Sequence, residues 1–169
     1  MKALPLYKIL SFILLPIAVI FGVFVIISIF ISLANPTLLI GTFMLACIVL
    51  YVFTSFRFLM RGITEQQPCK PSLREWIKVN AYVSIVFCVM SLFQTIALLA
   101  QPSLLTNVLS QQPELEAQLP ANTSTDFLIR VMKITLYFML ALSVILLVHI
   151  ILTFRLLKQF KHIFAAPQE

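Results

Sequence analysis

Apolar residues in this chain do not alternate with polar ones at the spacing of a half-buried strand, nor do they recur as the stripe of an amphipathic helix. They run on. Four uncharged stretches, 9–34, 38–56, 79–100 and 134–154, are built almost wholly of Leu, Ile, Val, Phe, Ala and Met. Each reaches the roughly 20 residues that an α-helix needs to cross a hydrocarbon core of about 30 Å. Each central Leu, Ile, Phe or Val favours the bilayer by about 0.3–0.6 kcal/mol, so such runs insert even after a few polar residues are subtracted. The pattern predicts an all-α integral membrane protein with four transmembrane helices in a single membrane domain, residues 1–169. The spans are expected at 8–34, 37–60, 73–100 and 128–158, with a loop at 61–72 and a longer one at 101–127.

Composition agrees with the pattern: 61% of the residues are hydrophobic and 11% charged, against about a quarter charged in an ordinary soluble domain. A net charge of +6 would suggest nucleic acid in a soluble protein, but the arrangement of the charges rejects that partner. Lys2 and Lys8 precede the first span. Arg57, Arg61, Lys70, Arg74 and Lys78 lie around the 61–72 loop, and Arg155, Lys158 and Lys161 follow the fourth span. The other side holds Arg130 and Lys133 with Glu114, Glu116 and Asp126. The positive-inside rule then puts both termini and the 61–72 loop in the cytoplasm, and the 101–127 loop outside. The first span is too long for the 7–15-residue core of a cleaved signal peptide, so it reads as an anchor that stays. Cys47 and Cys88 fall inside spans and Cys69 in the cytoplasmic loop, which suits a reducing or lipid setting rather than external disulfides.

The chain also echoes itself. Leu33-Ala34-Asn35-Pro36 recurs as Leu99-Ala100-Gln101-Pro102, an offset of 66 residues that also pairs Pro5 with Pro71 and Lys8 with Arg74. A second echo, Ser55-Phe56-Arg57 with Thr153-Phe154-Arg155, has an offset of 98. The extra length falls in the outer loop. Apolar sequences match easily by chance, but these matches include Pro, Arg and hydroxyl positions at helix ends. They favour two tandem helical hairpins, parallel repeats about an axis along the membrane normal. In the first copy Asn35 is expected to cap the following helix, with Pro36 at its first position.

Residues that carry packing or chemistry are few. Ala81, Ser84, Cys88, Ser91 and Thr95 form a seam of small side chains at 3-4-3-4 spacing in the third span. Ala18 and Gly22 are their counterparts in the first, and small residues let helix backbones approach where lipid supplies no hydrophobic drive. The expectation is a crossing of these two helices at Ala18, Gly22, Ser84 and Cys88. Pro16 is expected to kink the first span or to leave a carbonyl free. Gln94 and His149 are the intramembrane polar candidates, each read first as a hydrogen-bonding tie and second as the lining of a wet cavity. Asn80 reads as solvated near the inner surface. Arg57, Arg61, Arg74, Trp76, Lys78, Arg155 and Lys158 read as lipid-interface anchors, with Tyr7, and their charge favours anionic lipid at the cytoplasmic face. Ser72-x-x-Glu75 reads as a capping box.

No catalytic triad, metal-ligand spacing or phosphate-binding loop appears in the sequence, and neither a metal nor a cofactor is expected. The reading favoured is a non-enzymatic membrane subunit, scaffold or regulatory partner in a bacterial inner membrane, with a second copy or another membrane protein as its partner class. The competing reading is a small transporter or channel component acting as an oligomer.

Overall fold

A computed structural model describes residues 3–101, 103, 104, 107 and 125–164. The described chain is helical, and four of its helices are long and apolar enough to cross a membrane. In order they are α1 (Ala3–Ala34), α2 (Leu39–Arg57), α3 (Pro71–Ala100) and α4 (Thr125–Gln159). Most of the expected loop 101–127, with Glu114 and Glu116, lies outside the described residues.

The chain divides into two compact units, Met1–Phe87 with Ile145–Glu169, and Cys88–Val144. In the first unit α1 and α2 form a tight hairpin. The Asn35 side chain accepts the Thr37 N–H at 3.2 Å, Pro36 opens a 3₁₀ turn (Pro36–Leu38), and α2 begins at Leu39. The missing proline N–H costs nothing at that position. Ser32 and Thr42 join the two helices just inside the turn, hydroxyl to hydroxyl at 3.0 Å. A Cβ added to Gly22 would lie 3.7 Å from Val49 Cγ1 of α2, so at Gly22 the neighbour on α1's flank is α2. α1 runs unbroken through Pro16.

Past Arg57 the helix does not stop at residue 60 but continues as π-helical turns, Phe58–Thr64. The Glu65 N–H reaches back five residues to the Met60 carbonyl at 3.0 Å. The wider turn lets Gly62 sit against the Phe58 ring and Cys69 Sγ. The span expected at 37–60 ends short of this continuation, and Gly62 within it is a site of close packing. The connecting segment is correspondingly short, 65–70, with Gln66 at φ 53°. The Cys69 N–H donates to the Ile163 carbonyl at 2.9 Å, which ties this segment to a closing 3₁₀ turn, Lys161–Phe164. α3 starts at Pro71, one residue before the expected cap Ser72, and Glu75 pairs with Lys78 at 2.9 Å instead of closing a capping box.

The core of the first unit comprises side chains such as Leu14, Ala18, Phe58, Ile77, Ala81 and Ile150. The outward faces of the same helices are apolar too: Phe30, Leu33 and Ile40 are at least 70% exposed. Water does not tolerate apolar faces this extensive, and lipid does. In the second unit α3 buries Cys88 and Thr95 and α4 buries Ser143, while Phe93, Ile134 and Tyr137 face outward.

Candidate functional site: a closed polar cluster around His149

Three helices of the first unit each contribute two polar residues one helical turn apart. These are Tyr7 and Ser11 from α1, Tyr51 and Ser55 from α2, and His149 and Thr153 from α4. An i, i+4 spacing puts both members of a pair on one face, and in each helix that face is the buried one. All six side chains are 0–1% exposed.

Their hydrogen bonds converge on the imidazole. Ser11 Oγ lies 2.9 Å from His149 Nε2, and Tyr51 Oη lies 2.8 Å from His149 Nδ1. Tyr51 Oη also meets Thr153 Oγ1 at 2.7 Å. Ser11 Oγ donates to the Tyr7 carbonyl and Thr153 Oγ1 to the His149 carbonyl, each at 2.8 Å. Tyr7 Oη donates to the Ser55 carbonyl at 3.2 Å, and its ring stacks on the imidazole with centroids 4.7 Å apart and planes 18° from parallel. The Tyr51 ring meets the imidazole edge-on, at 5.6 Å and 78°.

Proton bookkeeping constrains this network. Three hydroxyls and one N–H of a neutral imidazole supply a proton to each of four contacts, whereas Ser11, Tyr51, Thr153 and His149 share the five contacts just described. One contact is therefore always shared. If Nε2 carries the proton, it donates to Ser11, Tyr51 donates to Nδ1, and the Thr153 hydroxyl is divided between Tyr51 Oη and the His149 carbonyl. The other tautomer divides the Ser11 hydroxyl instead.

A serine within reach of a histidine nitrogen has the outline of a nucleophile and its base. Here both are buried, Ser11 also donates to a helix carbonyl, and both ends of the chain of hydroxyls terminate on backbone oxygens. The arrangement holds α1, α2 and α4 in register.

The sequence singled out His149 but missed its partners. Tyr7, read as an interface anchor, is fully buried because the imidazole and the Ser55 carbonyl occupy its face. Asn80, read as solvated, is 3% exposed and donates Nδ2–H to the Trp76 carbonyl at 2.8 Å. Ser84 is likewise buried and donates to the Asn80 carbonyl at 2.7 Å. Ala18, Ala81, Ser84, Cys88 and Thr95 are buried, whereas Gly22 and Ser91 are half-buried. Gln94 is exposed. The signal that would have found the cluster is the i, i+4 polar pair recurring in three otherwise apolar runs.

The basic residues gather at one end of this unit, where α2 ends, α3 begins and α4 closes. Arg57, Arg61, Arg155 and Lys158 are exposed, Trp76 is 57% exposed, and Arg74 and Lys78 are half-buried. Arg74 Nε is buried without a hydrogen-bond partner. At the same end Cys69 is buried, and burial pushes its thiol above the usual value of 9.0 while the nearby charges of Arg61 and Arg57 pull it back in part. Comparison with protein-family profiles, with curated proteins and with solved structures finds no match for this chain.

Proposed function

We propose that this chain is a non-enzymatic, four-span membrane protein that serves as a subunit, scaffold or regulatory partner of other membrane components. Its setting in this reading is a bacterial inner membrane, with both termini on the cytoplasmic face. The observation that carries the reading is the closure of the polar cluster. His149 and the five polar side chains grouped around it meet one another and helix carbonyls, in a place sealed from solvent. Buried polar groups of a transport pathway face water or substrate; these face each other. The end-to-end segregation of basic residues supports the orientation.

Construction from two parallel hairpins is part of the same proposal. An offset of 98 residues makes Tyr51 the counterpart of His149 and Ser55 the counterpart of Thr153, and Tyr51 meets both His149 and Thr153. A two-fold relation between hairpins brings equivalent positions of α2 and α4 opposite one another near the axis.

Reconstitution into vesicles containing pH- and potential-sensitive dyes tests the function. The purified chain is expected to leave proton and monovalent-ion leak at the level of empty vesicles, with His149→Leu indistinguishable from the parent. A flux that the parent supports and His149→Leu abolishes would overturn the reading in favour of a transporter or channel component.

A further inference from the structure

A cavity of about 440 Å³ opens at the basic end, between the last turns of α2, the 65–70 segment and the first turns of α3. Arg57, Arg61 and Lys70 line it, and its lining includes no carboxylate. Among the described residues the ion pair is Lys78 with Glu75, so none of these three cations is neutralised by an acid. The α3 terminus adds to the positive field. Lys70, Ser72 and Leu73 all line the cavity, and a helix N-terminus carries roughly half a positive charge on unsatisfied N–H groups. Three like charges beside a helix N-terminus make this recess favourable for an anion.

The opposite wall is of another character. Leu50 and Trp76 line the cavity while remaining 44% and 57% exposed on the lipid-facing flank. Leu50 lies seven residues before Arg57 on the same helix, so the wall extends about 10 Å from the cations toward the hydrocarbon, at about 1.5 Å per residue. A soluble phosphate would use the cationic floor and leave that wall in contact with water or with unrelated lipid. A phospholipid uses both. A zwitterionic headgroup would bring an ammonium into a recess that already holds three cations, so the recess selects an acidic one.

We propose that this cavity is a binding site for one acidic phospholipid, its phosphate held by Arg57, Arg61 and Lys70 beside the α3 N-terminus and an acyl chain lying along Leu50 and Trp76. The proposal rests on residence in a bilayer and not on the absence of an activity. A basic pocket between helix ends at the interface is a recognised way of holding such headgroups.

Trp76 is the chain's single tryptophan and stands on the cavity wall, so its fluorescence reports occupancy. The full chain is reconstituted in phosphatidylcholine vesicles containing an equal small fraction of either phosphatidylglycerol or phosphatidylcholine with brominated acyl chains. Brominated phosphatidylglycerol is expected to quench Trp76 several-fold more strongly at equal mole fraction. Each of Arg61→Gln and Lys70→Gln is expected to reduce that preference by about fivefold. Lys161→Gln, which removes the same charge outside the cavity, is expected to leave it intact.

Equal quenching by the two lipids would overturn the site, as would an equal loss in Lys161→Gln, which would make the preference a property of the whole basic end. Loss of the preference on adding inorganic phosphate would mean that the recess takes phosphate as such, and the lipid assignment would fall. Absence of quenching by either lipid would overturn the membrane reading itself, which distinguishes that failure from failure of the site.

Discussion

Tyr51 and His149 donate and accept a single hydrogen bond between α2 and α4, 2.8 Å from Oη to Nδ1, and they stand 98 residues apart. That is the same offset that aligns Ser55-Phe56-Arg57 with Thr153-Phe154-Arg155. The bond therefore joins positions that the hairpin echo makes equivalent, and one turn along, Thr153 meets the same tyrosine hydroxyl at 2.7 Å. In the proposed two-hairpin construction the bond links two equivalent positions, one occupied by Tyr and the other by His.

Because the cluster is buried, removing the Tyr51 hydroxyl leaves His149 Nδ1 without the group it meets, and removing the imidazole takes one partner each from Ser11 and Tyr51. Tyr51→Phe deletes a hydroxyl that meets both His149 and Thr153 and is expected to cost about 1–2 kcal/mol, at about 0.6–1 kcal/mol for each of the two bonds. His149→Leu is expected to cost at least as much. In a double-mutant cycle read by denaturant titration in mixed micelles, the two changes should couple by about 1 kcal/mol. Strict additivity would show that the bond contributes nothing to the fold.

Two glycines on the same helical hairpin should respond in opposite ways. At Gly62 a methyl would stand 3.0 Å from Phe58 Cδ2 and 3.3 Å from Cys69 Sγ. The Phe58 ring is fully buried and stacks on Phe164 at 5.4 Å, so it has little room to move. Overpacking of about 1–3 kcal/mol then exceeds the roughly 1 kcal/mol that alanine gains over glycine in a helix. Gly62→Ala is expected to destabilise by about 1 kcal/mol, and by loosening the 65–70 segment it should speed alkylation of Cys69. Gly22→Ala meets only Val49 at 3.7 Å, an ordinary contact. It should be neutral or stabilising by up to about 1 kcal/mol, although the sequence alone marks Gly22 as a packing residue. Both variants are read by thermal unfolding in detergent, and the expected order of stability is Gly22→Ala, parent, Gly62→Ala.

The four spans were legible because a run of some twenty apolar residues has one stable use, and the turn at Asn35-Pro36 because capping and proline chemistry are local. What remained hidden is what depends on partners distant in the chain. A serine or threonine in a helix can satisfy itself on its own i−4 carbonyl, as Ser11 and Thr153 do. Nothing in the sequence therefore demanded that their oxygens also meet His149 or Tyr51. Tyr7 lies close to the chain's start among apolar residues, which is the signature of an interface aromatic as much as of a core one. The π-helical continuation to Thr64 carries no local signal at all; it follows from the fit of Gly62 against Phe58 and Cys69.

In the proposed topology four crossings place the two termini together on the cytoplasmic face. Short epitope tags at the two ends should therefore be protected together in intact cells and become accessible together after permeabilisation. Reactivity of one tag alone in intact cells would require an odd number of crossings and would remove one of α1 to α4 from the membrane.

Cys69 gives the basic end a pH-dependent readout outside the spans. Burial raises its thiol above 9.0, and the charges of Arg61 and Arg57 oppose that rise without cancelling it. The thiolate is the reactive form, so alkylation by a water-soluble maleimide should still be climbing with pH beyond the midpoint of a free cysteine. Arg61→Gln removes one of the opposing charges. The thiol then titrates at still higher pH, the thiolate fraction at any given pH falls, and alkylation should slow. The local opening that admits the reagent to this buried sulfur multiplies the rate by the same factor at every pH, so it changes the height of the profile and not its midpoint. Lys161→Gln, whose charge does not act on Cys69, should leave the midpoint where it is. A midpoint below 9, or one that falls in Arg61→Gln, would show that the arginines rather than burial govern this thiol.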